Sequence, residues 1–200
     1  MPAVDDERAH LIAEIERIVE EACAQDSNVF GYGIWSHHII QVARNARRLA
    51  PLFGADPEIV EVAAILHDYA SVKDQALVAE HHLHGAAEAE RLLRGFGYPE
   101  ERIQAVTHCI VAHRASAPLE RETPEAECLA NADALTHIEQ VPSLLHFAFV
   151  QQGMGIDEGT EWVRAKLQRS WGKLSPQVQA LAQAAYQAAL ATLDEPAGSH

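Results

Sequence analysis

Cysteine is scarce in this 200-residue chain. Cys23, Cys109 and Cys128 are odd in number, far apart and form no Cys-x-x-Cys pair, which argues against a disulfide framework and for a reducing, cytoplasmic setting. Positive charge is scarce as well. Fifteen Lys and Arg stand against 29 Asp and Glu, and the formal net charge of −14 disfavours extended contact with a nucleic-acid backbone. A local basic cluster can still hold one small anion. No stretch reaches ~18 consecutive apolar residues, and the acidic start Met1-Pro2-Ala3-Val4-Asp5-Asp6-Glu7 has no apolar signal core. Neither export nor a membrane span is expected. Alternation of apolar and polar residues never persists long enough to propose a strand.

Helical periodicity is what remains, and it predicts an all-α, single-domain multi-helix bundle over residues 1–195, with a frayed tail at 196–200. A first helix is expected from about Asp5 to Ala24, with Leu11, Ile15, Ile18, Val19 and Ala22 on one face. Ser36 can cap a second that runs to about Phe53 with Ile39, Val42, Ala46 and Leu49 inward. Asp56 followed by Pro57 is a cap with proline at the first helical position, and starts a very apolar helix to about Ser71. Further helices are expected near 82–95, 99–115, 125–139, 141–152, 157–172 and 175–193, separated by Gly95, Gly97, Pro99, Pro118, Pro124, Pro142, Gly153, Gly155 and Pro176. Nothing in the pattern fixes an oligomeric state.

Within the apolar run Val62-Ala63-Ala64-Ile65-Leu66-His67-Asp68-Tyr69-Ala70, the pair His67-Asp68 is out of place. A buried carboxylate is strongly unfavourable unless it is paired or bound to metal. A divalent cation (Mn, Fe, Co, Ni, Zn or Mg) suits such ligands. Adjacent helical side chains diverge by about 100°, so the pair meets one ion only near a helix end or in a crevice between helices. Partners must then come from elsewhere. His38 opens a helix whose inward stripe continues as Val42 and Ala46, and Asp133 lies among small apolar residues in Leu129-Ala130-Asn131-Ala132-Asp133-Ala134-Leu135. Two His, two Asp and open positions make a mixed nitrogen and oxygen site of catalytic type.

This arrangement resembles the HD-domain superfamily of metal-dependent phosphohydrolases, with its ordered H…HD…D pattern. His38-Ile39-Ile40-Gln41-Val42-Ala43, Ala63 to Ala70 and Ala132-Asp133-Ala134-Leu135 carry the likeness, over about residues 35–137. The stretch from Leu144 to Leu193 has no counterpart in it. The resemblance implies an all-helical fold, a small phosphorylated substrate such as a nucleotide, and one or two divalent ions. His81-His82-Leu83-His84-Gly85-Ala86 resembles the H-x-x-x-G-A segment of two-metal members, which selects His81, with His84 one turn on as its rival. His108-Cys109-Ile110-Val111-Ala112-His113 resembles the H-x-x-x-x-H stretch that follows, and His113 is favoured over His108. Family members often carry Lys three residues after the HD aspartate; here that place is Ser71, with Lys73 two further on.

Simpler readings compete at each position. His67-Asp68 can be a buried hydrogen bond, His37 can replace His38, and Asp133 can be a helix cap. His81, His82 and His84 can be a solvated helix start. His137, four residues after Asp133, can orient that carboxylate but reads best as a surface residue, and Arg44, Arg47 and Arg48 read as a solvated face. The expected activity is hydrolysis of a phosphate ester or anhydride by metal-activated water. Asp68 suits a bridging role, and Lys73 or Arg114 can neutralise phosphoryl charge. Two other classes fit the same ligands: an HD-type di-iron oxygenase, and a non-catalytic metal- or nucleotide-binding regulatory module.

Overall fold

The computed structural model describes residues 4–113 and 121–194. The expected tail at 196–200 and Arg114 lie outside those residues. Among the described residues there is no strand, and no helix is long and apolar enough to cross a membrane. The helices are α1 (Val4–Cys23), α2 (Ile40–Phe53), α3 (Pro57–Leu66), α4 (Tyr69–Lys73), α5 (His81–Gly95), α6 (Glu100–Ala112), α7 (Pro124–Glu139), α8 (Val141–His146), α9 (Ile156–Lys173) and α10 (Pro176–Ala191).

Helix α7 is the axis of the bundle. It packs on α2, α3, α6, α9 and α10. Every residue from Cys128 to Ile138 is buried, so it carries no single apolar stripe. Thr123 caps it by accepting from the Ala126 N–H, and Pro124 occupies the first turn. Its polar residues are all engaged. Thr136 donates to the Ala132 carbonyl and accepts from Asn45 Nδ2, and Asn131 accepts from the Ser175 N–H at the start of α10. Helix α3 is nearly as deeply set. Its one buried charge, Glu61, is held by Arg47 at 3.0 Å, so two arginines of the expected solvated face, Arg47 and Arg48, form ion pairs, the latter with Glu139 at 2.8 Å. Asp56 caps α3 as expected, accepting from the Glu58 and Ile59 N–H groups. Gly54, at φ 68°, turns the chain between α2 and α3 in the left-handed region that glycine enters at no steric cost.

Two local departures from the expected helices matter for function. The apolar helix does not run through to Ser71: α3 stops at Leu66, and Asp68 leaves helical geometry at φ −106°, ψ 5° before α4 begins. No glycine or proline marks that break. The helix end turns both His67 and Asp68 toward the same space, which a continuous helix would not. The start of the second helix is also altered. Residues Trp35–Ile39 form a π-helical turn that runs into α2, so Ser36 is within the turn and makes no capping bond. A second π-helical turn, Phe147–Gln151, follows α8. Gln75–Glu80, unassigned from the sequence pattern, is a 3-10 segment started by Asp74, whose side chain accepts from the Ala76 N–H.

Candidate metal centre

Two ring nitrogens and a carboxylate meet where the π-turn, the end of α3 and α7 converge. His38, His67 and Asp133 form one triad, with ligand atoms within 4.8 Å of one another. His38 Nε2 lies 3.2 Å from His67 Nε2 and 3.6 Å from Asp133 Oδ1. A second triad, Asp68, His81 and His113, adjoins it. His81 opens α5 and His113 follows α6, and the antiparallel pairing of those helices brings their Nε2 atoms to 3.2 Å. Asp68 stands between the triads. Its Oδ2 is 3.3 Å from His38 Nε2 and 3.2 Å from His67 Nε2, while its Oδ1 faces His81 Nε2 at 3.8 Å.

Gly85 makes the approach of α5 possible. A Cβ there would lie 3.1 Å from the His67 carbonyl oxygen and 3.3 Å from Ile110 Cγ2.

The tautomers can be deduced. His67 Nδ1 sits 2.7 Å from the Ala64 carbonyl, His81 Nδ1 2.9 Å from that of Val78, and His113 Nδ1 against that of Ile110. In each case the partner is the oxygen three residues back, and a carbonyl can only accept. Nδ1 therefore donates, and each neutral ring turns an Nε2 lone pair inward. Two such lone pairs facing each other at 3.2 Å, as in His81 and His113, repel unless a proton or a cation lies between them. Burial, reinforced by His67, pushes the His113 pKa down to about 3, so a proton is disfavoured there. The donor set fits a divalent cation.

Charge around the first triad makes the same demand. Burial opposes protonation of His67, but the Asp68 carboxylate outweighs it, aided by Asp133, and the pKa rises to about 9. Burial likewise opposes ionisation of Asp133 and Asp68. His137 and Lys173 overcome it at Asp133, and His67 and His38 at Asp68, so both carboxyls are held well below the usual range. A pocket with two fixed carboxylates and inward lone pairs calls for positive charge.

The other expected residues are elsewhere. His84 belongs to neither triad; it is one turn along α5 from His81 and is half-buried. Lys73 Nζ pairs with Glu88 at 2.8 Å and lies over the Tyr69 ring, so it is taken up by α5 rather than by the cleft. His37 is exposed, with Nδ1 at 2.7 Å from Ser36 Oγ, and His108 is in neither triad. His137 is not a surface residue. It is buried, its ring stacks on His38 at 5.0 Å, its Nδ1 is 3.2 Å from Ser170 Oγ and its Nε2 is 3.7 Å from Asp133 Oδ1.

Sequence reasoning missed the cationic wall. A cleft of about 720 Å³ over both triads is closed on one side by Lys166, Arg169 and Lys173 of α9. Lys173 Nζ reaches to 3.9 Å from Asp133 Oδ2. The signal was their i, i+3, i+7 spacing, which puts three cations on one helix face. Burial lowers the Lys166 pKa against the pull of Asp133.

The family model of the HD domain matches residues 35–138. The chain belongs to the HD-domain family. HD domains bind divalent metals, and the two triads lie within the matched segment. Ribonuclease Y of Chloroflexus aurantiacus is 33% identical over 99 residues, a match that takes in 50% of this chain and only 18% of that protein. Among solved structures, Bacillus subtilis YpgQ aligns over 93% of both chains with a TM-score of 0.71 and 23% identity, which is a likeness of fold. YpgQ in complex with ADP aligns over 91% of this chain and 93% of its own, with a TM-score of 0.67 and 25% identity. A predicted HD superfamily hydrolase from an uncultured Thermotogales bacterium covers 91% and 92%, with a TM-score of 0.54 and 25% identity. These alignments cover far more of the chain than residues 35–138.

Proposed function

We propose that this HD-domain protein is a metal-dependent phosphohydrolase of a small phosphate ester or anhydride, with a nucleotide as the best-fitting substrate. One observation carries the reading: the carboxylate of Asp68 lies between two His-containing triads, under a wall of cations suited to phosphate. The hydrolase relatives of the family and the ADP held by YpgQ support it.

His38, His67 and Asp133 would hold one divalent ion, and His81 and His113 a second, with Asp68 offering one oxygen to each. Such ions, when bound, polarise a phosphoryl oxygen and acidify water enough to supply a nucleophile near neutral pH. The chain's own groups do the rest. Lys166, Arg169 and Lys173 offset the negative charge of the phosphate, which the net charge of −14 would otherwise repel. His137, fixed by Ser170 and stacked on His38, orients the Asp133 carboxylate. The α9 wall replaces Lys73 in the role expected of it.

The test is metal analysis of the purified protein joined to a screen of phosphomonoesters, phosphodiesters and nucleotides with Mn, Co, Ni, Fe or Mg. Turnover that disappears in Asp68→Ala is the expected result. Less than one metal per chain under saturating supply, with no loss on Asp68→Ala, overturns the reading. Iron content with O2 uptake, and no phosphoester turnover, would favour the di-iron oxygenase instead.

A further inference from the structure

Beside the metal cleft is a second cleft of about 630 Å³, within the size range of small-molecule sites. The two share Phe30, His38, Asp68, His137 and Lys166. Their walls differ. The second is aromatic: Phe30 stacks on Phe147 with centroids 5.6 Å apart and planes 22° from parallel, and Phe147 meets Trp162 at 5.4 Å. Ile34 and Leu144 add apolar surface, and Gln140, Ser143 and His146 bring hydrogen-bonding groups to the same lining.

Both π-helical turns border this cleft. Trp35–Ile39 supplies His37 and His38, and Phe147–Gln151 supplies Phe147. A π-turn is a rare widening of a helix that is frequent at functional sites. Two of them at one cleft are an argument independent of its aromatic content.

The joined clefts thus have two ends. One holds the triads and cations and suits phosphate; the other is aromatic and edged with polar groups. A ligand that satisfies both carries a phosphate and a planar heteroaromatic ring. We propose that the Phe30–Phe147–Trp162 wall seats the base of a nucleotide, with Lys166 at the junction of the clefts meeting its phosphate. The proposal rests on the phosphohydrolase reading for the direction of the phosphate, and it assigns the base a place that the metal centre does not define. Stacking is tolerant of base identity, so the wall itself selects a base over none rather than one base over another.

The experiment titrates metal-free protein, in chelator, with AMP, GMP, CMP and UMP while tryptophan fluorescence and, for affinity in every variant, the heat of binding are followed. Ribose 5-phosphate serves as a ligand without a base, and octyl phosphate as an apolar ligand without a ring. The nucleotides should quench, and ribose 5-phosphate should not. Trp162→Ala should remove that quench and weaken nucleotide binding about tenfold, whereas Trp162→Phe should retain affinity. Phe147→Ala, read by the remaining Trp162 signal and checked for helicity, should weaken binding similarly. In the metal-loaded protein, selectivity for nucleotide over ribose 5-phosphate should fall by about the same factor in Trp162→Ala. Equal binding of ribose 5-phosphate and nucleotide, tighter binding of octyl phosphate, or unaltered affinity in both variants overturns the proposal. Nucleotide quenching without turnover of any phosphoester would leave the base cleft and remove the hydrolase. Turnover without base preference would do the reverse.

Discussion

His38, His67 and Asp133 come from the π-helical turn before α2, the end of α3 and the buried axis helix α7. Asp68, His81 and His113 come from a turn and from the paired ends of α5 and α6. The first triad is surrounded by charge: Asp133 has Lys173 and His137 beside it, and His67 has two carboxylates near. The second has one carboxylate, and its two rings are steered mainly by backbone carbonyls. His113, pushed down by burial, keeps its lone pair available at ordinary pH values. His67, raised by the Asp68 carboxylate against its own burial, takes up a proton when no ion is present. The same ligand type is therefore tuned in two ways within one centre.

Removing the shared residue should erase the distinction. Asp68→Ala is expected to lower kcat/KM by ~10³-fold and to reduce bound metal in both triads, as read by elemental analysis. Splitting the centre is the next largest effect. Asp133→Asn should lower kcat/KM by ~10³-fold and His113→Ala by ~10²-fold, with His113→Ala retaining one ion per chain. Equal metal loss in both variants would mean that the triads do not fill separately.

A pH series sharpens the contrast further. In metal-free protein the folded His67 pKa is about 9, above its ordinary value. Its contribution to stability is therefore complete below pH ~6.5, and is lost as pH rises through about 9. Tm in chelator should fall across that window. Metal must displace the same proton, so affinity at the first triad should rise with pH until about 9. His113, pushed down to about 3, offers no such competition at neutral pH. Metal titrations of Asp133→Asn and His113→Ala against pH would separate the two. The smallest effect is outside the centre. Lys73→Ala, which breaks the pair with Glu88, should change stability by ~0.5 kcal/mol and leave metal content intact.

The helices of this protein were legible because the chain is rich in 3.6-residue periodicity and punctuated by Gly, Pro and Asp56-type caps. Residues such as His38, His67, Asp68 and Asp133 stood out because each is polar in an apolar run. His81 and His113 could be singled out only through the family resemblance, since His84 and His108 are equally polar in equally mixed surroundings. The break at Leu66 was not legible. No residue there disfavours a helix, and the turn is set by what packs around it. The wall of Lys166, Arg169 and Lys173 was missed for the opposite reason: cations on an amphipathic helix look like a solvated face until another element is placed against them. His137 escapes by the same logic, for it is buried against another element, where its ring meets Ser170 of α9.

Gly85 bears on the stoichiometry of the centre. Its missing methyl lets α5 rest against the His67 carbonyl, and so sets how far His81 stands from Asp68. Gly85→Ala must move that helix by a few tenths of an ångström, or move the turn that carries Asp68. Movement of the helix loosens the His81 side of the centre and leaves His38 and Asp133 in place. A single added carbon, far smaller than any ligand, would then act as a dial between a two-ion and a one-ion protein.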